Sequence, residues 1–226
     1  MTGGPYDLQN NHPKKEIDRI AIQERGIPSL QLMDTAAAHI TDAVQRQLAK
    51  SRHHGSVLIF CGPGNNGGDG FSCAWQLLEK GIAVKVCFVG SIERLTADAR
   101  TEQAKFLEAG GVVEEYTDTA LPGETGCIVD ALFGVGLDRP VSGMFFRAIE
   151  SINDARQQGI PVIACDIPSG IEGNTGAVLG IAVQADETVT FSCAKPGLLQ
   201  GEGRHCAGKL TIADIGIPKD LLNNDT

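Results

Sequence analysis

The chain has 226 residues, 42% of them hydrophobic, with 19 basic against 28 acidic side chains and a net charge of −9. That length can bury a sizeable core without disulfides or metals. The acidic balance excludes a general nucleic-acid binder, which needs a positive field, and argues against adhesion to an anionic membrane. An anionic small ligand stays open, because a helix N-terminus supplies local positive potential.

Residues 1–12 are polar and read as a flexible segment without the apolar stretch of a secretory signal. No apolar run approaches membrane-spanning length. Residues 13–220 read as one domain, since no linker interrupts them. Segment 13–25 predicts a short helix stopped by Gly26 and Pro28. A longer helix starts near Ser29, where Leu32, Ala36, Ala37, Ile40, Ala43, Val44 and Leu48 recur at helical spacing, and it breaks at His53, His54 and Gly55.

From there the pattern alternates. Strands are predicted at 57–61, 83–89, 112–116, 126–132 and 161–165, and helices at 68–80, 95–109 and 145–155, the second stopped by Gly110 and Gly111. After Ser169 the rhythm changes to two further strands, 187–191 and 209–212, with little helix between. Short, near-continuous apolar strands alternating with helices predict a doubly wound α/β fold whose mostly parallel sheet is covered on both faces. There are seven cysteines, an odd number without a C-x-x-C pair, and Cys61, Cys87, Cys127 and Cys165 lie within or beside apolar runs. They read as reduced thiols acting as small hydrophobes, which points to a reducing, cytoplasmic setting.

Ligands of open α/β sheets bind beyond the carboxyl ends of the strands, and four unusual segments lie there. The first is CGPGNNGGDG at 61–70, a glycine-dense turn between strand and helix that can aim backbone N–H groups at a phosphate. Its literal G-x-G-x-x-G is a weak signal, and the acidic residue that normally closes the second strand to hold a ribose is missing from Phe88-Val89-Gly90-Ser91. Glycines for tight packing would explain the turn alone but not Asn65, Asn66 and Asp69 together, although Asp69 could be a helix cap.

The second segment is VDALFGVGLDRP at 129–140. Asp130 lies inside an apolar strand, where a carboxylate needs a cation or strong donors beside it; a loop-capping role is the alternative. Arg139 could meet a phosphate or pair with Asp138. The third is Asp166-Ile167-Pro168-Ser169-Gly170, where a carboxylate again ends an apolar strand; an aspartate and serine that only stabilise the turn are the alternative. The fourth contains Lys195-Pro196-Gly197, and there a solvated lysine is the expectation. H-E-x-x-H, zinc-type Cys/His spacing, G-x-S-x-G and the Lys-Ser/Thr of a P-loop are all missing, and His12, His39, His53, His54 and His205 form no ligand set. The recurring hard oxygens of Asn66, Asp130 and Ser169 suit a hard, weakly charged cation better than zinc or copper.

The three motifs at 62–70, 129–134 and 166–170, with Lys195-Pro196-Gly197, the closing Asp214-Ile215-Gly216-Ile217-Pro218 and the early Leu32-Met33, resemble the NAD(P)H-hydrate epimerases, the YjeF N-terminal domain family. The resemblance runs from about Glu16 to Pro218. It implies a three-layer αβα Rossmann-like sandwich and a cofactor-repair isomerase that interconverts the R and S epimers of hydrated NADH and NADPH. It further implies that Asn65, Asn66, Gly67, Gly68 and Asp69, with Gly134, Val135, Gly136, Leu137, Asp138, Arg139 and Pro140, contact the hydrated dinucleotide. Asn66, Asp130 and Ser169 would hold a potassium ion, and Asp166 would touch the substrate as the acid/base. A separate S-specific dehydratase and a homodimer are the implied partners. Two other readings stay open: a non-catalytic nucleotide-binding or protein-interaction module on the same fold, and a different Rossmann-like enzyme acting on another nucleotide.

Overall fold

The computed structural model describes residues 14–51, 55–118, 121 and 124–222. The expected flexible segment 1–12, and His12, His53 and His54, lie outside the described residues.

Seven strands form one sheet in the order β3-β2-β1-β4-β5-β6-β7, and every neighbouring pair is parallel. They are β1 (Ser56–Cys61), β2 (Val84–Phe88), β3 (Val113–Glu115), β4 (Thr125–Ala131), β5 (Val162–Cys165), β6 (Glu187–Phe191) and β7 (Lys209–Ala213). The helices are α1 (Lys14–Arg19), which continues as a π-helical turn to Glu24, α2 (Ser29–Leu48), α3 (Asn65–Glu79), α4 (Ala97–Glu108), α5 (Gly143–Gln157) and the short α6 (Gly201–Cys206) and α7 (Lys219–Leu222). The expected three-layer, parallel arrangement is the one observed, and each predicted strand lies within about two residues of its place.

The layers follow from side-chain alternation along the strands. On one face Ile59, Cys61, Cys127, Val129, Ile163 and Cys165 pack under α2 and α3. On the other Leu58, Phe60, Ile128, Leu132, Val162 and Ala164 meet α5. The helical stripe read from Leu32 to Val44 is buried on the first of these faces. Parallel strands buried on both sides carry few polar residues, so Asp130 in the fully buried β4 is conspicuous.

One boundary differs in a way that matters. Helix α3 starts at Asn65, within the glycine-rich turn, rather than at residue 68. Gly64 is the extended residue that precedes it, so Asp69 lies inside the helix and does not cap it. The early start requires a backbone-to-backbone approach: a Cβ on Gly67 would lie 1.9 Å from the carbonyl oxygen of Gly62. Only glycine allows the helix to begin so close to the end of β1.

The cysteines make no disulfide among the described residues. Five are buried and Cys87 and Cys193 half-buried, and burial pushes the Cys73 and Cys87 thiols up to about 12.

Candidate functional site

The strand order reverses between β1 and β4, the switch point at which open α/β sheets leave a crevice. Cys61 and Ala131, the last residues of these two strands, are register partners, so the loops that follow diverge from one point. A cleft of about 760 Å³ opens above it. On one side lies the N-terminus of α3, with Asn65, Asn66 and Asp69 at the wall; on the other lies the loop 134–140, every residue of which lines the cleft. Asp166 contributes from the end of β5. Gly67 and Gly68, by contrast, are buried behind the wall. A Cβ on Gly68 would meet Met33 and Ala99, so this residue lets α2 and α4 approach α3.

The helix start explains the polarity of the wall. The unpaired N–H groups and the dipole of a 15-residue helix point toward the cleft, which favours an anion there. Arg139 is exposed at the rim and makes no ion pair with Asp138 among the described residues.

Beneath the loop, Asp130 is satisfied by groups from two segments. Ser169 donates from Oγ to Oδ1 at 2.6 Å and from its backbone N–H to Oδ2 at 2.8 Å, and the Leu132 N–H donates to Oδ1 at 3.2 Å. Ser169 Oγ also accepts from the Phe133 N–H at 2.9 Å, tying the loop after β4 to the loop after β5. Burial still pushes the Asp130 carboxyl up to about 6, against the lowering effect of these donors. Asn66 packs beside this cluster: a Cβ on Gly134 would lie 3.3 Å from Asn66 Oδ1. Its Nδ2 is buried without a hydrogen-bond partner, an arrangement that folded proteins rarely leave unexplained. Asn66, Asp130 and Ser169 thus occupy one region, and their donors are all oxygen-bearing groups with a single formal negative charge.

Asp166 is buried and has a backbone φ of 65°, in the left-handed region that non-glycine residues seldom enter. Ile167 N–H bonds to Cys165 O at 2.8 Å around it, closing a tight three-residue turn. The carboxylate accepts from the Phe191 N–H at 3.1 Å and from the Lys195 ammonium. Lys195 is therefore not the solvated side chain that its place before Pro-Gly suggested; it is only 4% exposed. The expectation fails because β6 lies beside β5, and the loop after β6 folds back onto the end of its neighbour. Asp69 stands near this group, 4.0 Å from the Cys165 thiol.

The cleft has a third wall that was not legible in the sequence. Ile22, Leu32, Met33 and Ala36 from the N-terminal helices, with Phe145 and Ile215, give the cleft an apolar lining. Leu32 and Met33 carried a signal in the resemblance, whereas the others read only as helix faces. Among the described residues no group of three or more His, Cys, Asp or Glu side chains could hold a metal, and His39 instead bonds to the Asp214 carbonyl at 3.0 Å. No helix among the described residues is long and apolar enough to cross a membrane.

Comparison with known proteins gives the arrangement a lineage. The family model described as "YjeF-related protein N-terminus" matches residues 29–197. The "NAD(P)H-hydrate epimerase" of Limosilactobacillus fermentum is 38% identical over 87% of this chain and 91% of its own length. That of Oenococcus oeni is 41% identical over 88% and 92%. The "Bifunctional NAD(P)H-hydrate repair enzyme Nnr" of Moorella thermoacetica is 37% identical over 92% of this chain, which spans only 40% of that longer protein. The crystal structure of yeast ynu0, YNL200c, superposes with a TM-score of 0.74 at 26% identity, covering 88% of this chain and 84% of its own. The match covers the glycine-rich turn, Asp130, Asp166 and Lys195 alike, and the chain belongs to the family of YjeF-related protein N-termini.

Proposed function

We propose that this chain is an NAD(P)H-hydrate epimerase, an isomerase that interconverts the R and S forms of hydrated NADH and NADPH. The observation that carries the reading is a carboxylate, Asp166, fixed at the floor of a dinucleotide-sized cleft whose wall is a helix N-terminus. Relatives that this chain covers almost end to end bear that activity in their names.

The parts divide the work. The first turn of α3, with Asn65, Asn66 and Asp69, and the loop from Gly134 to Pro140 embrace the hydrated dinucleotide, the helix end facing its diphosphate. Epimerisation requires a bond at the hydrated carbon, either to oxygen or to the ring nitrogen, to open and re-close. One proton leaves and one returns on either route, and Asp166 is the group placed to carry it.

The residues also fit a potassium ion. Asp130 and Ser169, with the Asn66 amide turned so that its oxygen faces them, form a hard-oxygen set of low charge. When bound, such an ion would supply positive charge at this hard-oxygen set beneath the loop 134–140. As in the resemblance, we place the protein in the cytoplasm as a homodimer, its product consumed by an S-specific dehydratase activity.

Binding tests the reading before chemistry does. NADH hydrate and NADPH hydrate should each raise the thermal midpoint more than ADP-ribose at equal concentration, because a ligand that binds only the folded state stabilises it. Equal shifts for all three would favour a module that recognises only the shared nucleotide.

A further inference from the structure

We propose that Lys195 is the positioning residue of this site: from behind the cleft, its ammonium locks the Asp166 carboxylate in one orientation and keeps it ionised as the proton acceptor. The proposal rests on the reading of Asp166 as the acid/base.

Two strained turns carry the inference. Asp166 and Ser192 are the non-glycine residues with positive φ among those described, both at 65°. Each follows directly on the last residue of its strand, Cys165 in β5 and Phe191 in β6, and the two strands are parallel neighbours. Each closes with a hydrogen bond across a single residue, Ile167 N–H to Cys165 O at 2.8 Å and Cys193 N–H to Phe191 O at 2.7 Å. Turns of this hand are rare and strained, and such strain persists only where the surroundings over-determine it.

Lys195 is that determinant. The Ser192 turn reverses the chain, so the ammonium donates to Thr190 Oγ1 at 2.7 Å and to Phe191 O at 3.1 Å. It also pairs with Asp166, whose carboxylate in turn accepts from the Phe191 N–H at 3.1 Å. The two turns are thereby cross-linked through one ion pair. The pair is almost entirely desolvated, with side chains 5% and 4% exposed, so water cannot replace either partner. Removing the ammonium would leave a buried carboxylate on a strained turn without its counter-charge, more loosely oriented and readier to take up a proton. The Cys165 thiol and Asp69 also stand on this side, and neither supplies positive charge. Lys195 does not line the cleft, so it acts through Asp166 and not on the substrate.

The test compares Lys195→Met, Lys195→Arg and Asp166→Asn with the wild-type chain, measuring kcat and KM for the R hydrate and checking the fold by circular dichroism. Lys195→Met should lower kcat about 100-fold, the scale of one proton-transfer group, while KM stays within about threefold because the substrate contacts remain. Lys195→Arg should recover at least about tenfold of that loss by restoring the charge. A Met variant with nearly wild-type kcat, or an Arg variant as inactive as Met, would overturn the proposal. An active Asp166→Asn would instead sink the acid/base reading itself. Should the Met variant not fold, carbon-13 NMR of the aspartate carboxyls in the wild type decides. The signal lost in Asp166→Asn should stand at its ionised position at neutral pH. A protonated carboxyl signal there would overturn the proposal.

Discussion

Asp130 shows how a single buried charge can dictate its surroundings. A lone carboxylate inside a sheet is costly, and here three donors from the loops after β4 and β5 meet it while its carboxyl still rises to about 6. A cation beside it would offset the remaining cost. Saturating potassium should therefore raise the thermal midpoint by about 5–10 °C, the shift expected from a ligand at about 100 times its Kd on a chain of this size. In Asp130→Asn the rise should vanish, and an undiminished rise would place the ion elsewhere. Asp130 and Asp166 were legible in the sequence because carboxylates at the ends of apolar strands violate the pattern around them. Lys195 was not, since its partner is 29 residues away and only the pairing of β5 with β6 brings them together.

At the scale of elements, the turn between β1 and α3 is set by backbone contact. Gly67→Ala would thrust a Cβ into the Gly62 carbonyl, whereas a Cβ on Gly64 would meet nothing within 4 Å. Urea unfolding should show Gly67→Ala destabilised by about 1–3 kcal/mol or more and Gly64→Ala within about 0.5 kcal/mol of wild type. Equal stability of the two would mean that the helix does not begin in the turn. The sequence announced the glycines but not which of them were packing residues; that depends on where the helix starts.

The opposite end of the sheet offers a contrast. Glu187, at the start of β6 and 2% exposed, accepts from Arg46 and Gln47 of α2 and from Lys209 and Thr211 of β7. Burial alone would raise its carboxyl, but Thr211, Lys209 and Arg46 outweigh burial and hold it below 4.5. A depressed carboxyl stabilises the fold above its unfolded value, and that contribution is lost as pH falls through the folded one. Glu187→Gln should thus cost about 1.5–3 kcal/mol at neutral pH, and the gap to wild type should close on acidification below about pH 4.5. Activity at neutral pH should be unchanged, because Glu187 does not line the cleft. A gap that persists unchanged in acid would show that packing, not charge, is at stake.

For the whole molecule, the fold was legible from periodicity because strands buried on both faces and amphipathic helices leave distinct patterns. The cleft was legible only in part. Its two loops carry rare motifs, but its apolar wall is assembled from the N-terminal helices, Phe145 and Ile215, which are distant in sequence and ordinary in type. What the assembled molecule is built to do is tested most directly by supplying the R hydrate of NADH with an S-specific dehydratase and following the return of NADH absorbance. This chain should speed consumption of the R form well beyond its spontaneous epimerisation, and Asp166→Asn, correctly folded, should remove at least about 100-fold of that acceleration. Consumption of the R form at the spontaneous rate in the presence of the folded wild-type chain would contradict the account.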